Sequence, residues 1–312
     1  MRTDRHPPAL RGLKKKRVGV LMGGLSEERE ISLLTGRAVL EALIGKGYNA
    51  TGIDVGRDVA AALKRKKIEV AFLALHGRYG EDGCVQGMLE VMGIPYTGSG
   101  VQASAVAMDK AAAKKLLAFH GVPTPEFRVV DRAADAAALG LPVVIKPASQ
   151  GSAVGVSVVR DAAGLEKALR AAGRLSGEVI AERYVEGREL TVSILDAEPL
   201  PVVEILPKKG FYDFKAKYTP GMTEFVVPAA LKKTVERRVV AASLRSYEVL
   251  GCRGAARVDV MLDGKGKAYV LEVNTIPGLT ELSLFPRAAA AAGLDYPALV
   301  ERMLRGAGLE KR

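Results

Sequence analysis

The sequence has 312 residues, of which 48% are hydrophobic and 26% charged, and its net charge is +11 at pH 7. This length is too great for one small core and predicts two or three domains. No apolar stretch approaches the ~18 residues that span a bilayer, so we expect no membrane partner. The basic start lacks the apolar region of an export signal. Cys84 and Cys252 lie far apart, which favours reduced core thiols in a cytoplasmic protein.

The positive charge is concentrated at the N-terminus. Residues 1–17 carry seven Lys or Arg against one Asp. We expect residues 1–16 to form a basic disordered tail. Because no aromatic-basic interleaving or nucleic-acid motif accompanies the charge, we predict no nucleic-acid partner. The remaining positive charge suits small anionic substrates.

The first elements predict a parallel sheet. The run "RVGVLMGG" is typical of a buried strand ending in a Gly-Gly turn, and Ser26 is placed to cap the helix that follows. The runs "YNATGIDV" and "VAFLALHG" continue this strand-helix alternation. We therefore predict a Rossmann-like domain over residues 17–108, with "HGRYGEDG" as a functional loop at a strand carboxyl end.

Two α+β units are predicted after it. The segment "DKAAAKKLLAFHG" indicates a helix capped by Asp109 and stopped by Gly121, and a strand, glycine loop, strand, helix and strand follow up to residue 187. From 188 to 312 we expect further strands, a loop rich in Tyr, Phe and Lys at 208–221, a helix at 229–249, and two closing strands.

A glycine loop in "KPASQGSAVGVSVV" is a candidate phosphate site. Lys146 ends the preceding strand, and Gly151, Ser152 and Gly155 allow backbone N–H groups to approach an anion. A simple turn is the alternative, since no helix follows the loop.

The closing strands "RVDV" and "LEVN" carry a candidate cation site. Alternation places Arg257 and Asp259 on one face of the first strand, and Glu272 and Asn274 on one face of the second. Antiparallel pairing can bring these faces together, and such oxygen ligands with nucleotide phosphates suit Mg²⁺. A solvent-facing edge, or a structural ion pair between Arg257 and Glu272, is the alternative.

The segment "VIAERYVEGREL" is a candidate adenosine site. The backbone of Glu182, Arg183 and Val185 can pair with an adenine edge, and Glu189 can accept hydrogen bonds from ribose hydroxyls. An exposed strand with ordinary Glu-Arg pairs is the alternative.

Together these motifs resemble the ATP-grasp superfamily. Within it, "GGLSEEREIS", "HGRYGEDG", "YTGSG", "MDK", "FYDFKAKY" and "NTIPGLTELSLFP" resemble the D-alanine-D-alanine ligase family, in the family's order over residues 17 to about 305. The resemblance implies an α/β, three-domain ATP-grasp fold, in which two α+β domains clasp ATP. It also implies a homodimer and a role in peptidoglycan precursor synthesis.

The resemblance also implies a role for each matching residue. The implied catalytic residues are Glu28, Ser152, Tyr218, Arg257, Gly278 and Ser283. The implied ATP-binding residues are Lys110, Lys146, Glu182, Arg183, Val185, Glu189 and Lys217. The implied ligands of two Mg²⁺ ions, with Mn²⁺ as a substitute, are Asp259, Glu272 and Asn274. His76 is expected to support the pocket, or else to be an ordinary core residue.

Three positions bear on how far the resemblance extends. Ala153 stands where many relatives have a second serine, and "ERYV" replaces a more frequent Lys-Trp-Leu type of segment. Tyr218 favours an amine acceptor over D-lactate. The competing interpretations are another ATP-grasp ligase, which "GGLSEEREIS" disfavours, and a non-catalytic protein that binds nucleotides or nucleic acid, which the complete polar set disfavours.

Overall fold

The structure is a computed structural model that describes residues 12–208, 210, 212, 219, 221–280 and 283–310. It contains three β-sheets with flanking helices, as the α/β interpretation predicts. Within the part of the chain that the structure describes, no helix has the length and apolar character needed to cross a membrane.

The first sheet is parallel and has the strand order β2-β1-β3. Its strands are β1 (Val18–Gly23), β2 (Ala50–Val55) and β3 (Val70–Leu73). The helices of this region are α1 (Arg29–Gly45), α2 (Val59–Arg65), α3 (Cys84–Met92) and α4 (Val101–Met108). Every residue of β1 is buried, which explains its uninterrupted apolar sequence.

The second sheet is antiparallel and has the order β4-β7-β5-β6. Its strands are β4 (Phe127–Val129), β5 (Val143–Pro147), β6 (Ser157–Val159) and β7 (Val179–Arg183). The helices around it in sequence are α5 (Lys110–Phe119), α6 (Ala133–Ala137) and α7 (Leu165–Gly173). Asp109 caps α5 as predicted, because its carboxylate accepts a hydrogen bond from the Ala112 N–H.

The third sheet is also antiparallel, with the order β11-β10-β8-β12-β13 and β9 beside β8. Its strands are β8 (Gly187–Leu195), β9 (Glu198–Pro199), β10 (Val203–Pro207), β11 (Thr223–Val226), β12 (Ala255–Asp263) and β13 (Ala268–Asn274). Helix α8 (Lys233–Val249) packs on it, and so does α5, whose Ala113 and Leu117 belong to the same core cluster.

The C-terminal helices join the third sheet to the first. Helices α9 (Leu284–Ala291) and α10 (Tyr296–Arg305) share one core cluster with β1 and with residues of β8 and β12. At the edge of this core, Glu301 accepts hydrogen bonds from Lys46 (2.6 Å) and Tyr48 (2.8 Å). These contacts lie between the end of α1 and the start of β2, so they fix α10 against the amino end of the parallel sheet.

The structure differs from the sequence predictions at several positions. Leu13–Lys15 form a 3-10 helix with Leu13 buried, so the end of the predicted tail packs on the fold. Helix α1 begins at Arg29, three residues after Ser26, whose hydroxyl donates to the His76 carbonyl and accepts a 3.2 Å hydrogen bond from the Glu28 N–H. Helix α8 begins at Lys233 and not at 229. Both cysteines are free, but only Cys252 is buried; Cys84 is exposed at the start of α3.

Candidate active site

The closing strands β12 and β13 pair as the alternation predicts. Asp259 lies opposite Glu272, and Arg257 lies opposite Asn274. A register shift follows directly, between Asp259 and Val260. Strand β13 is at the end of the sheet order, yet the Glu272 carboxylate is only partly exposed and lies 3.4 Å from Lys110 Nζ. A solvent-facing edge is therefore not what the structure shows.

Arg257 forms a two-point ion pair with Asp259. Its Nε and Nη2 atoms lie 2.9 and 2.8 Å from the two carboxylate oxygens, and Thr191 donates a hydrogen bond of 2.7 Å to Oδ1. Burial lowers the pKa of the Arg257 guanidinium, but Asp259 more than compensates, so the pKa lies above its usual value. Arg257 therefore stays a cation in the site.

The oxygen donors on these strands fit a hard cation. Asp259 Oδ2 accepts one hydrogen bond from Arg257 and keeps a lone pair, and Asn274 Oδ1 accepts one from the Ile276 N–H (2.9 Å). Among the described residues, no group of three or more His, Cys, Asp and Glu is arranged to hold a metal. A cation here would need phosphate oxygens as additional ligands, which is the usual coordination of Mg²⁺ beside a nucleotide.

Two lysines contact the carboxylate of Glu182 on β7, Lys146 from the neighbouring strand β5 and Lys114 from helix α5. Glu182 Oε1 lies 2.7 Å from Lys146 Nζ and 3.0 Å from Lys114 Nζ. Burial raises the pKa of the Glu182 carboxyl, but the two lysines outweigh this and hold the pKa below its usual value. Nearby, Lys110 Nζ donates a 2.5 Å hydrogen bond to the Gln150 carbonyl of the glycine loop.

The predicted adenine edge is partly occupied by the sheet itself. Strand β7 lies between β4 and β5, so Glu182 pairs on both sides, with Phe127 and Val144. The Arg183 N–H donates to the Glu126 carbonyl and the Tyr184 N–H to the Pro142 carbonyl. These two N–H groups are therefore already hydrogen-bonded within the protein, and pairing of the remaining backbone groups with adenine stays a prediction.

The side chains of the remaining adenosine candidates lie around this strand. Arg183 directs its guanidinium to the Leu139 carbonyl, at 3.4 Å. Val185 is half-buried after β7, and Glu189 lies on β8 opposite Ile205 and Met261.

Glu28 and the glycine loop meet at the carboxyl end of the parallel sheet. Glu28 precedes α1, and the Ser152 hydroxyl donates a short hydrogen bond to its carboxylate. A Cβ atom added to Gly77 or to Gly151 would lie 2.9 Å from Glu28 Oε2, so the Glu28 side chain would have to move; Gly77 also has a φ of 68°, which favours glycine. Ser152 and Ala153 have φ values of 52° and 57°, in the left-handed region that side chains disfavour.

Glu81 is a site residue that we did not predict individually. Its carboxyl group is buried and accepts a 2.6 Å hydrogen bond from the Gly77 N–H. Burial, followed by the negative charge of Glu28, raises the pKa of Glu81 to about 8, so it is neutral at pH 7. The signal in the sequence was an acid within the loop "HGRYGEDG" after a buried strand.

His76 lies beside the same loop. Its Nε2 atom is 3.2 Å from the Thr35 hydroxyl. Burial and then the charge of Arg257 lower the pKa of His76 to about 4, so the imidazole is neutral at pH 7. The residue is buried and also borders the polar site, which combines the two interpretations made from sequence.

The start of α9 supplies the last predicted residues. Ser283 precedes the helix, and its hydroxyl lies 2.8 Å from that of Thr280 and accepts a 3.1 Å hydrogen bond from the Thr280 N–H. A Cβ atom on Gly278 would lie 3.0 Å from Ser283 Oγ, so these two residues are neighbours. Lys217 and Tyr218 lie outside the described residues.

A parallel α/β unit that faces two antiparallel sheets, with lysines, paired carboxylates and a glycine loop between them, is the arrangement of an ATP-grasp enzyme. A family model described as "D-ala D-ala ligase C-terminus" matches residues 116–305, and one described as "D-ala D-ala ligase N-terminus" matches residues 57–99. The chain belongs to the D-alanine-D-alanine ligase family. The predicted family and fold class are thereby confirmed.

Individual relatives cover nearly the whole chain. A D-alanine-D-alanine ligase of Syntrophotalea carbinolica is 51% identical over 96% of this chain and 98% of its own length. One of Desulforudis audaxviator is 52% identical over 93% of this chain and 98% of its own. The crystal structure of the Bacillus anthracis ligase complexed with ATP has a TM-score of 0.82 and 39% identity, and covers 93% of this chain and 96% of that one.

Proposed function

We propose that the chain joins two D-alanine molecules into D-alanyl-D-alanine with cleavage of ATP to ADP and phosphate, through a D-alanyl phosphate, for peptidoglycan precursor synthesis. Ligation of two D-alanine molecules at the expense of ATP is the activity that names the family to which the chain belongs. The relative from Bacillus anthracis was crystallised with ATP.

One observation supports this proposal most directly: a continuous set of contacts joins the substrate end of the site to its metal end. Glu28 accepts a hydrogen bond from Ser152, two residues after Gln150. The Gln150 carbonyl binds Lys110, whose ammonium group lies 3.4 Å from Glu272. A carboxylate substrate held near Glu28 and a phosphate held by Lys110 would therefore be adjacent, which phosphoryl transfer requires.

At the substrate end, Glu28 is assigned to the ammonium group of the first D-alanine. Its carboxylate is oriented by Ser152 and enclosed by Gly77 and Gly151, so a small cationic group is the natural partner. Tyr218, from the loop rich in Tyr, Phe and Lys, is assigned to complete this contact. Ser283 is assigned to the carboxylate of the second D-alanine.

At the nucleotide end, Lys110, Lys146 and Lys217 are assigned to the phosphates of ATP. Adenosine is assigned to Glu182, Arg183, Val185 and Glu189, with fewer free backbone donors than the sequence suggested.

Asp259, Glu272 and Asn274 would hold two Mg²⁺ ions, or Mn²⁺, at the metal end of the site. The fit rests on two carboxylates and an amide oxygen on paired strands, which leave positions for phosphate oxygens. When bound, the ions neutralise phosphate charge.

The chemistry then has two steps. A carboxylate oxygen of the first D-alanine attacks the γ-phosphorus of ATP, the bond to ADP breaks, and D-alanyl phosphate forms. The amine of the second D-alanine attacks the carbonyl carbon and loses a proton, and phosphate leaves. Arg257 and the Gly278 N–H are assigned to the oxyanion that develops on this carbon. No enzyme nucleophile is needed.

The test is phosphate release from Mg-ATP with D-alanine, with L-alanine, or with D-alanine plus D-lactate. We expect release that depends on D-alanine and yields the dipeptide, and its loss in Glu272→Gln. Glu166→Gln, on the exposed face of α7, is the matched control, since it removes the same charge far from the described site.

Release driven by a different acid would support another ATP-grasp ligase and reject the substrate assignment. No release with any acid would reject the ligase proposal. The homodimer remains a prediction from the family, and light scattering of the purified chain would test it.

A further inference from the structure

Helix α5 contains a lysine that is almost completely buried. Lys114 is 1% exposed, whereas its neighbour Lys115 is exposed on the same helix. A lysine is rarely buried unless its charge is paired, because an isolated ammonium group loses most of its hydration energy. The site assignments above give this residue no role.

The contacts of Lys114 extend to two sheets. Its ammonium group lies 3.0 Å from Glu182 Oε1 on β7 and donates a 2.5 Å hydrogen bond to the Thr124 hydroxyl. Thr124 in turn donates a 2.9 Å hydrogen bond to the Val270 carbonyl on β13. Lys114 therefore connects the lysine-glutamate cluster of the second sheet to the strand that carries Glu272.

Within the cluster, two cations share one anion. Glu182 Oε1 also contacts Lys146 at 2.7 Å, so Lys114, Lys146 and Glu182 carry a net charge of about +1 when all are ionised. With only Lys146 present, the carboxylate would hold that lysine in a neutral pair. With Lys114 also present, one carboxylate is paired with two ammonium groups. Lys146 is then only partly neutralised, so positive charge remains to bind a phosphate.

We infer that Lys114 is a positioning residue for ATP, which fixes Glu182, leaves Lys146 available to the nucleotide, and ties this cluster to β13. The inference rests on the proposed assignment of Lys146 and Glu182 to ATP. Lys114 is not a catalytic residue, because it acts through the two groups that it holds.

The ionisation of Lys114 gives the inference a measurable signature. Burial lowers the pKa of Lys114 to about 8, although the negative charge of Glu182 acts to raise it. The charged groups that face it are Glu182, Lys146 and Glu272. As pH rises through about 8, Lys114 loses its proton in the nucleotide-free protein, and the net charge of the cluster falls to about zero. ATP affinity should therefore fall over this pH range, and bound ATP should raise the pKa of Lys114.

The experiment measures the dissociation constant of ATP by calorimetry, without D-alanine, from pH 6.5 to 9.5. We expect Lys114→Met to weaken ATP about tenfold at pH 7, as expected for the loss of one buried charge contact, and to remove the loss of affinity near pH 8. Lys114→Arg should keep the affinity and move its pH dependence above pH 9.5, since a guanidinium stays charged. Lys115→Met is the control, with wild-type behaviour expected.

Steady-state kinetics separate positioning from general damage. The KM for ATP should rise in Lys114→Met, while the KM for D-alanine changes less than about twofold. Equal increases of both constants, or a fall in ATP affinity near pH 8 that persists in Lys114→Met, would overturn the inference.

A parallel substitution separates this inference from the proposed function. If Lys146→Met weakens ATP and Lys114→Met does not, only the role of Lys114 is wrong. If Lys146→Met also leaves ATP binding unchanged, the assignment of the cluster to the nucleotide is wrong. Should Lys114→Met fail to fold, Thr124→Val tests the link to β13 with every charge retained, and unchanged ATP affinity there would reject that link.

Discussion

The two ends of the site are built differently. The metal strands are β12 and β13, which backbone hydrogen bonds join directly. Their site residues are Arg257, Asp259, Glu272 and Asn274. The substrate loops are three separate segments that meet through side-chain contacts. They contribute Glu28, Gly77, Glu81, Gly151 and Ser152. The sheet fixes the geometry of the metal strands before any ligand binds, whereas the substrate loops depend on their own charges and turns.

This difference predicts where a substitution will affect folding and where it will affect only function. Within the metal strands, Asp259 is buried and paired with Arg257, while the Glu272 side chain is 27% exposed. Within the substrate loops, the hydrogen bond from Ser152 to Glu28 connects loops that no strand pairing joins.

The largest effect is expected at Asp259. Asp259→Asn removes the anion that neutralises the buried guanidinium of Arg257, so we expect the free energy of unfolding to fall by about 3 kcal/mol. Activity should also fall at least about 100-fold, because a proposed cation ligand is lost. Urea denaturation and phosphate release measure the two effects.

Glu272→Gln is the matched comparison on the opposite strand. We expect a similar loss of activity but a change in unfolding free energy below about 1 kcal/mol, since the Glu272 carboxylate is partly hydrated. Equal destabilisation by the two substitutions would show that the distinction drawn between these residues is wrong.

At the substrate loops, Glu28→Gln and Ser152→Ala should each raise the KM for D-alanine by about tenfold or more, because each removes part of a charge-assisted contact. The dissociation constant of ATP should be unchanged. Since the two side chains contact each other, their effects should not add in the double variant, with a coupling of at least about 0.5 kcal/mol. Additive effects would contradict a shared role, and the exposed Glu27→Gln serves as the control.

A smaller, pH-dependent effect is expected at Glu81. The pKa of this carboxyl is about 8 in the folded protein and near 4.5 unfolded, so the folded state binds more protons between these values. Stability conferred by the protonated carboxyl is present below pH 4.5 and is lost as pH rises towards 8. Glu81→Gln resembles the protonated form, so it should nearly match wild type at pH 5 and exceed it increasingly in stability as pH rises towards 8. Thermal unfolding from pH 5 to 8.5 tests this; parallel pH curves for the two proteins would exclude a raised pKa.

The metal strands were predictable from sequence, because the rules that define them are local. Alternation of side chains along a strand placed Asp259 with Arg257 and Glu272 with Asn274, and a short turn left antiparallel pairing as the simplest connection. The cap of α5 by Asp109 was predictable for the same reason, because it depends on residues adjacent in the sequence. The family resemblance supplied the roles of Glu28 and Ser152, which no local rule connects across 124 positions.

The features that were missed depend on the order and packing of the sheets. Nothing local in "VIAERYVEGREL" indicates that β7 lies between two strands, so the bonded N–H groups of Arg183 and Tyr184 were not foreseen. The burial of Lys114 and the raised pKa of Glu81 likewise arise from tertiary contacts. Helix α10 was also not predicted, although the sequence contained its signals. Asp295 caps it, and its apolar residues recur at helical spacing.

The smallest effect is expected in the glycine loop, at Ala153. Its φ of 57° lies in the left-handed region, where a side chain is strained by about 1 kcal/mol relative to glycine. Ala153→Gly relieves this strain but gives the unfolded chain more freedom, so we expect the free energy of unfolding to rise by less than about 1 kcal/mol. The looser loop should hold Ser152 less firmly against Glu28 and raise the KM for D-alanine by about twofold. Ala118→Gly, on the exposed side of α5, makes the same change in a right-handed helix and should destabilise by about 1 kcal/mol. Opposite signs at the two positions would show that the substrate loops store backbone strain, whereas destabilisation at both would show that they do not.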